Sequence, residues 1–274
     1  MTTDTKDVKI EFDRLLESIR RKNYKGQCFY HPVDDVKSWM VTSRGANGPS
    51  NAAYLLDLVS HPRKFLKTSP EAIRNALIVF AILLRIDCGH LVHIFQHYVL
   101  DDFLNAPIPT DRLMSDLHES RLKYPSDVLD RFDEERWAFC AANMQDMYYE
   151  TKIFEGGRWI MPFCKQEEVK REHGAVVFRA LVQKDLVSNK VQELMEGTCE
   201  FFDEDFGSCF QFAIKSYPAD AYKLYQDEVK NYRAIGKTMP GVLKYFGAYE
   251  HQGFPSGQTG LQTAFNIVLE FADH

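Results

Sequence analysis

The sequence predicts an α+β protein. Apolar residues recur at helical spacing through the first half, strand-forming alternation takes over from about Trp159, and one helical stretch, Ala219–Ile235, interrupts the strands. On this pattern residues 1–158 form a mainly helical region and residues 159–274 a sheet-bearing one.

Each element has its own reason. Val8–Arg21 reads as an amphipathic helix with Ile10, Leu15, Leu16 and Ile19 on one side. Ser69-Pro70-Glu71 opens a helix through Ile73, Leu77 and Leu84, because proline is tolerated in a first turn. Leu91–Leu100 follows Gly89 as an apolar helix, and Pro125–Phe139 as a further one. Arg44–Ser50 and Ala106–Thr110 are loops by composition. Farther on, Arg158–Phe163, Glu168–Lys170 and Ala175–Gln183 read as strands, and the polar connector Lys184–Gly207 carries a helical turn at Lys190–Glu196. Phe210–Tyr217 (FQFAIKSY) alternates, with Phe212 and Ile214 on one face and Ala213 and Lys215 on the other. Pro218 ends it, and Asp220 is placed to cap the next helix. Val242–Tyr249 and Ala264–Phe271 complete the strands, joined by the loop GFPSGQTG.

Composition narrows the function classes. Of 274 residues 45 % are hydrophobic and 26 % charged, ordinary values for a globular protein, and the net charge of −6 argues against nucleic acid or acidic membranes as partners. The N-terminus MTTDTKDVKIEFDR lacks the apolar core of a signal peptide, and the most apolar run, ALIVFAILL, is far too short to span a bilayer. Six cysteines at 28, 88, 140, 164, 199 and 209 include no C-x-x-C pair, which predicts reduced, packed thiols and an intracellular location, cytoplasmic or nuclear. His90, His93 and His97 share one helical row, a spacing that could ligate zinc. The row lacks an H-E-x-x-H glutamate and a supporting cysteine pair, so it reads as structural and no metal is assigned.

One residue breaks the pattern. Leu224, Glu228, Tyr232 and Ile235 form one helical row, so a carboxylate points where the helix should be dry, and it needs a partner. Lys215, on the preceding strand, is the candidate. This unit resembles the small lobe of eukaryotic protein kinases. There a strand lysine in a V-A-I-K motif holds the ATP phosphates and pairs with a glutamate of helix αC. Phe212-Ala-Ile-Lys215 matches the motif, and Asp227-Glu228-Val229 with Tyr232 and Ile235 matches the helix.

The resemblance covers roughly residues 163–274 and implies a five-stranded antiparallel sheet plus αC, with the large lobe missing. It implies ATP as cofactor, with Lys215 on the phosphates, Glu228 orienting it, and Ala213 against the adenine together with Val177 or Val176, depending on register. Leu269 would be the gatekeeper, and Glu270, Phe271 and Ala272 the hinge; Met239-Pro240-Gly241-Val242 matches a turn into the next strand. The glycine-rich loop departs from the family: Val169–Phe178 holds a single glycine, Gly174, with Lys170 and Glu172 roughly where others would stand. No H-R-D catalytic loop occurs and no D-F-G metal site follows the hinge, so no catalytic residue is assigned, and magnesium is expected only with a large lobe in a full-length protein. A looser similarity links Cys88–His97, Phe132–Cys140 and Trp159–Phe163 to segments preceding kinase-like domains of filamentous fungi. The expectation is the ATP-binding lobe of a serine/threonine protein kinase, truncated after the hinge, with protein substrate unknown. The alternative is a non-catalytic pseudokinase or protein-interaction module.

Overall fold

The computed structural model describes residues 5–24, 29–60, 69–141, 144, 151–154, 159–172, 174–195, 200–235, 243–253 and 262–272. The turn expected at Met239–Val242, loop residues 254–260, Cys28 and Cys199 lie outside them. The chain divides into two compact units, one of Met1–Arg21 with Phe29–Cys140, the other of Lys22–Cys28 with Ala141–His274.

The first unit is helical: α1 (Thr5–Ile19), α2 (Val33–Val41), α3 (Asn51–Ser60), α4 (Leu77–Arg85), the single turn α5 (Val92–Phe95), α6 (Thr110–Glu119) and α7 (Pro125–Arg136). Its centre is α4. That helix is apolar all round, and every residue from Leu77 to Leu84 is buried. Around it α1 contributes Val8, Phe12 and Leu16, spaced four apart, while Ile10 is exposed. Of the stripe expected on α1, Leu16 is buried and Leu15 and Ile19 are half-buried, but Ile10 is not part of it. The buried row is set by Phe12, whose ring lies 5.7 Å from Trp39.

Two further expectations need correction. The helix opened by Ser69-Pro70 begins at Leu77 instead, and residues 70–75 form turns closed by Ala72 N–H to Ser69 O (3.0 Å) and Ala76 N–H to Ile73 O (2.8 Å). Asp101, from a distant segment, sets the start: its Oδ1 accepts from the N–H groups of Ile78 (2.9 Å) and Val79 (3.2 Å). The helix expected over Leu91–Leu100 shrinks to a 3₁₀ turn, Gly89–Leu91, and α5.

The second unit holds a seven-stranded sheet, where five strands were expected. The strands are β1 (Thr151–Phe154), β2 (Phe163–Glu172), β3 (Ala175–Gln183), β4 (Glu200–Asp203), β5 (Gly207–Tyr217), β6 (Tyr245–Gly253) and β7 (Gln262–Glu270). Their order is β1-β6-β7-β5-β3-β2, with β4 also pairing with β5. β1 lies parallel to β6, and the other pairs are antiparallel. Of the strand expected at 158–163 only Phe163 lies in one: β2 starts there and runs through the segment expected at 168–170, bent by register shifts at Phe163/Lys165 and Glu168/Lys170. Two helices complete the unit, α8 (Asn189–Met195) and α9 (Tyr222–Ile235).

Both sheet faces are covered. On one, Phe212, Ile214, Phe246 and Val268 pack with Val191 and Met195 of α8. On the other, Ala213, Tyr217, Ile267 and Leu269 pack with Tyr225 and Val229 of α9. The residues expected against adenine lie on the second of these faces. Ala213 and Leu269 are buried there and Val177 half-buried, because α9 and Tyr245 fill that face. Among the described residues no helix is long and apolar enough to cross a membrane.

Candidate nucleotide site

Strand β5 sets the site through its alternation. Ala213 and Lys215 project to the α9 side, whereas Phe212 and Ile214 enter the opposite core. Pro218 stops the strand, a 3₁₀ turn at Ala219–Ala221 reverses the chain, and α9 returns across the sheet. Asp220 lies inside that turn, so it is not the residue that precedes α9. The inward row of α9 is Tyr225, Val229 and Tyr232, while Leu224 and Ile235 are exposed. Of the row inferred from spacing, Glu228 and Tyr232 are half-buried toward the sheet, whereas Leu224 and Ile235 are not.

Lys215 and Glu228 meet. The ammonium Nζ donates to both carboxylate oxygens, at 2.8 Å to Oε1 and 2.7 Å to Oε2, and the two side chains keep 21 % and 25 % of their surface exposed. A third partner had not been anticipated: the Tyr217 hydroxyl donates to Glu228 Oε2. Tyr217 follows Lys215 by two positions, so the strand period puts both on one face; that spacing was the available signal. Lys215 Nζ also stands 5.4 Å from the Tyr217 ring centroid. Burial, reinforced by the bond to Glu228, pushes the Tyr217 phenol well above the ordinary tyrosine range. Tyr232 is raised for the same two reasons, burial first and the Glu228 charge second, and its ring stacks on Tyr245 at 5.5 Å.

The register question between Val176 and Val177 has an answer. Val177 pairs with Lys215 and shares its side, whereas Val176 pairs with Ser216 and faces the other way. Ala213 pairs with Leu269 on one flank and Arg179 on the other. Arg179 was missed by sequence reasoning; its guanidinium lies 5.5 Å from the ring centroid of Phe271 and 5.7 Å from that of Phe201. Gly174 sits at the β2–β3 turn with φ of +77°, a conformation that favours glycine. A Cβ there would lie 3.9 Å from Ala221 Cβ and from Leu224 Cδ1, so the turn approaches the start of α9.

At the other end of the face, Glu270 is engaged within the sheet. Its Oε1 lies 3.1 Å from Lys244 Nζ, its Oε2 accepts from Lys244 N–H (3.3 Å), and its own N–H donates to Lys244 O (2.8 Å). Lys244 Nζ reaches Leu194 O as well (2.7 Å). Ala272 is exposed just beyond β7.

Among the described residues no group of three or more His, Cys, Asp or Glu side chains could hold a metal ion. His90 lies in the 3₁₀ turn and His93 in α5, where its Nδ1 is 2.8 Å from His90 O. Cys88, Cys140, Cys164 and Cys209 are free and buried, and burial pushes the Cys140 thiol up to about 12. No protein-family model matches the chain, and no curated protein does either.

Proposed function

We propose that the sheet-bearing unit is a protein-kinase-like nucleotide-binding lobe of serine/threonine type, with ATP as its ligand. The Lys215–Glu228 pair carries this reading: a strand ammonium clamped by both oxygens of a helix carboxylate, yet still partly open to solvent. An ammonium held this way is oriented before a phosphate arrives, so little is spent on ordering it. Ala213, Val177 and Leu269 lie on the Lys215 face and would supply small and apolar contacts to a flat base, and backbone groups at Glu270–Ala272 would read its edge. When bound, ATP would supply a phosphoryl donor. No H-R-D occurs in the sequence, and its D-F-G tripeptide, Asp205-Phe206-Gly207, is the turn leading into β5 ahead of Lys215, so the reading assigns these residues binding and orientation only.

A second reading, a non-catalytic pseudokinase or protein-interaction module, draws on two other observations. Tyr217 occupies one oxygen of Glu228, and Arg179 stands beside Ala213 where the base would lie. Calorimetric titration of the full chain with ATP, with and without magnesium, separates the two. Saturable binding that is lost in Lys215→Met and Ala213→Phe supports the nucleotide reading. A folded chain that takes up no adenine nucleotide at millimolar concentration overturns it in favour of the module.

A further inference from the structure

One row of residues runs straight across the sheet: Tyr249 pairs with Asn266, Asn266 with Ser216, Ser216 with Val176, and Val176 with Arg171. The row alternates with Lys215, so it belongs to the opposite face and rests on no part of the nucleotide reading. Farther along that face Phe212, Ile214, Phe246 and Val268 fill the space against α8. At the Tyr249–Arg171 row the filling stops, and a cleft of about 1130 Å³ opens above it.

The walls of the cleft are rings and thioether: Tyr24, Met161, Phe163 and Phe178. Tyr24 is held there by its N–H bond to Phe163 O (2.7 Å), with the two rings 6.3 Å apart. The floor differs. Asn266, only 5 % exposed, brings a carboxamide onto an inward sheet face, where its Nδ2 donates to Ala264 O (3.2 Å), and Ser216 and Gln166 add neutral polar groups. A carboxamide has more hydrogen-bonding capacity than that one bond uses, so it can also serve the edge of a ligand. Tyr249 stays a neutral phenol because burial raises its pKa far above the ordinary value. The fixed charges of the lining are peripheral: Arg171 is exposed and bound to Glu168 at 3.1 and 2.9 Å, and Asp220 is exposed at the rim, while half-buried His251 adds an imidazole to the wall. A charged ligand entering this interior would shed its hydration without gaining a fixed counter-charge. Aromatic walls with a few convergent neutral polar groups are the usual lining of a small-molecule site.

We propose that this cleft binds a neutral, flat, largely apolar small molecule, its ring against Phe163 and Phe178 and a hydrogen-bonding edge toward Asn266 and Ser216. The test titrates the full chain with Nile red, a neutral solvatochromic dye, and in parallel with the anionic anilinonaphthalene sulfonate. The expected result is saturable one-site uptake of Nile red, weakened at least about tenfold by Ser216→Trp and by Ala264→Trp, which fill the cleft. Val41→Trp, adding the same ring at an exposed helical position of the other unit, should leave uptake unchanged. Equal uptake by the filling variants, or preference for the anionic dye, overturns the proposal. If a filling variant does not fold, photolabelling of the unaltered chain with a neutral aryl diazirine decides: label on peptides spanning 159–178, 214–220, 245–253 or 262–268 supports the cleft, and label confined to α9 or to residues 200–206 refutes it.

Discussion

Lys215 and Glu228, thirteen residues apart, form a two-pronged ion pair in which one ammonium reaches both carboxylate oxygens. With 21 % and 25 % of the side chains exposed, the pair lies between a surface bridge, worth about 0–1 kcal/mol, and a buried one, whose disruption costs about 3–5 kcal/mol. Glu228→Ala also removes the acceptor of the Tyr217 hydroxyl, which is buried. Chemical denaturation should therefore show a loss of roughly 2–3 kcal/mol for Glu228→Ala. Lys184→Ala, which breaks the exposed pair with Glu200, should lose under about 1 kcal/mol. Equal losses would show that the Lys215–Glu228 pair is held no better than a surface contact.

Asp101 is a second carboxylate whose partners come from elsewhere in the chain. Its side chain is 3 % exposed, its Oδ1 caps α4 at Ile78 and Val79, and Lys37 Nζ lies 3.3 Å from its Oδ2. Burial holds its pKa above the usual carboxylate value despite Lys37 and the two N–H groups. Asp101→Ala should destabilise the helical unit by roughly 2–4 kcal/mol, combining a lost cap with an ion left unpaired. Asp101→Asn keeps an oxygen acceptor for the helix and should cost about half as much. Thermal or urea melts followed by helical circular dichroism would measure both, and identical losses would count against the capping role.

His31 gives the helical unit a pH response. It is 4 % exposed, its ring lies 4.9 Å from that of Phe139, and its pKa falls from 6.5 to about 4. Burial is the largest cause, and Arg85 and Arg20 add to it against the opposing Glu17. The folded state thus binds a proton less readily than the unfolded one. The associated stability is complete above pH 6.5 and is lost progressively as pH falls toward 4, on the order of 3 kcal/mol in all. His31→Gln should flatten the dependence of the unfolding free energy on pH between these limits. An unchanged slope would place the proton uptake elsewhere.

Local pattern was legible where one period had one solution. FQFAIKSY alternates without ambiguity, and its faces fall as expected, with Phe212 and Ile214 in one core and Ala213 in the other. Helical faces were less secure. On α9 two neighbouring rows, through Leu224 and through Tyr225, are both rich in large residues, and only the fit of Tyr225 against Phe265, 5.3 Å away, selects the second. On α1 the same ambiguity separates Ile10 from Phe12.

By itself the sequence determined the α+β class, the strand that carries Lys215, the helix that carries Glu228 and the need of that carboxylate for a partner. These follow from side-chain period and from the cost of an unpaired charge, which act over a few residues. Only the tertiary structure decided that α4 starts at Leu77, that Tyr217 joins Glu228, that Arg179 stands beside Ala213, and that a polar row and a cleft occupy the far face of the sheet. Each depends on a cross-strand register or on a contact between distant segments. Such pairings are set by the packing of the whole unit, and no local period encodes them.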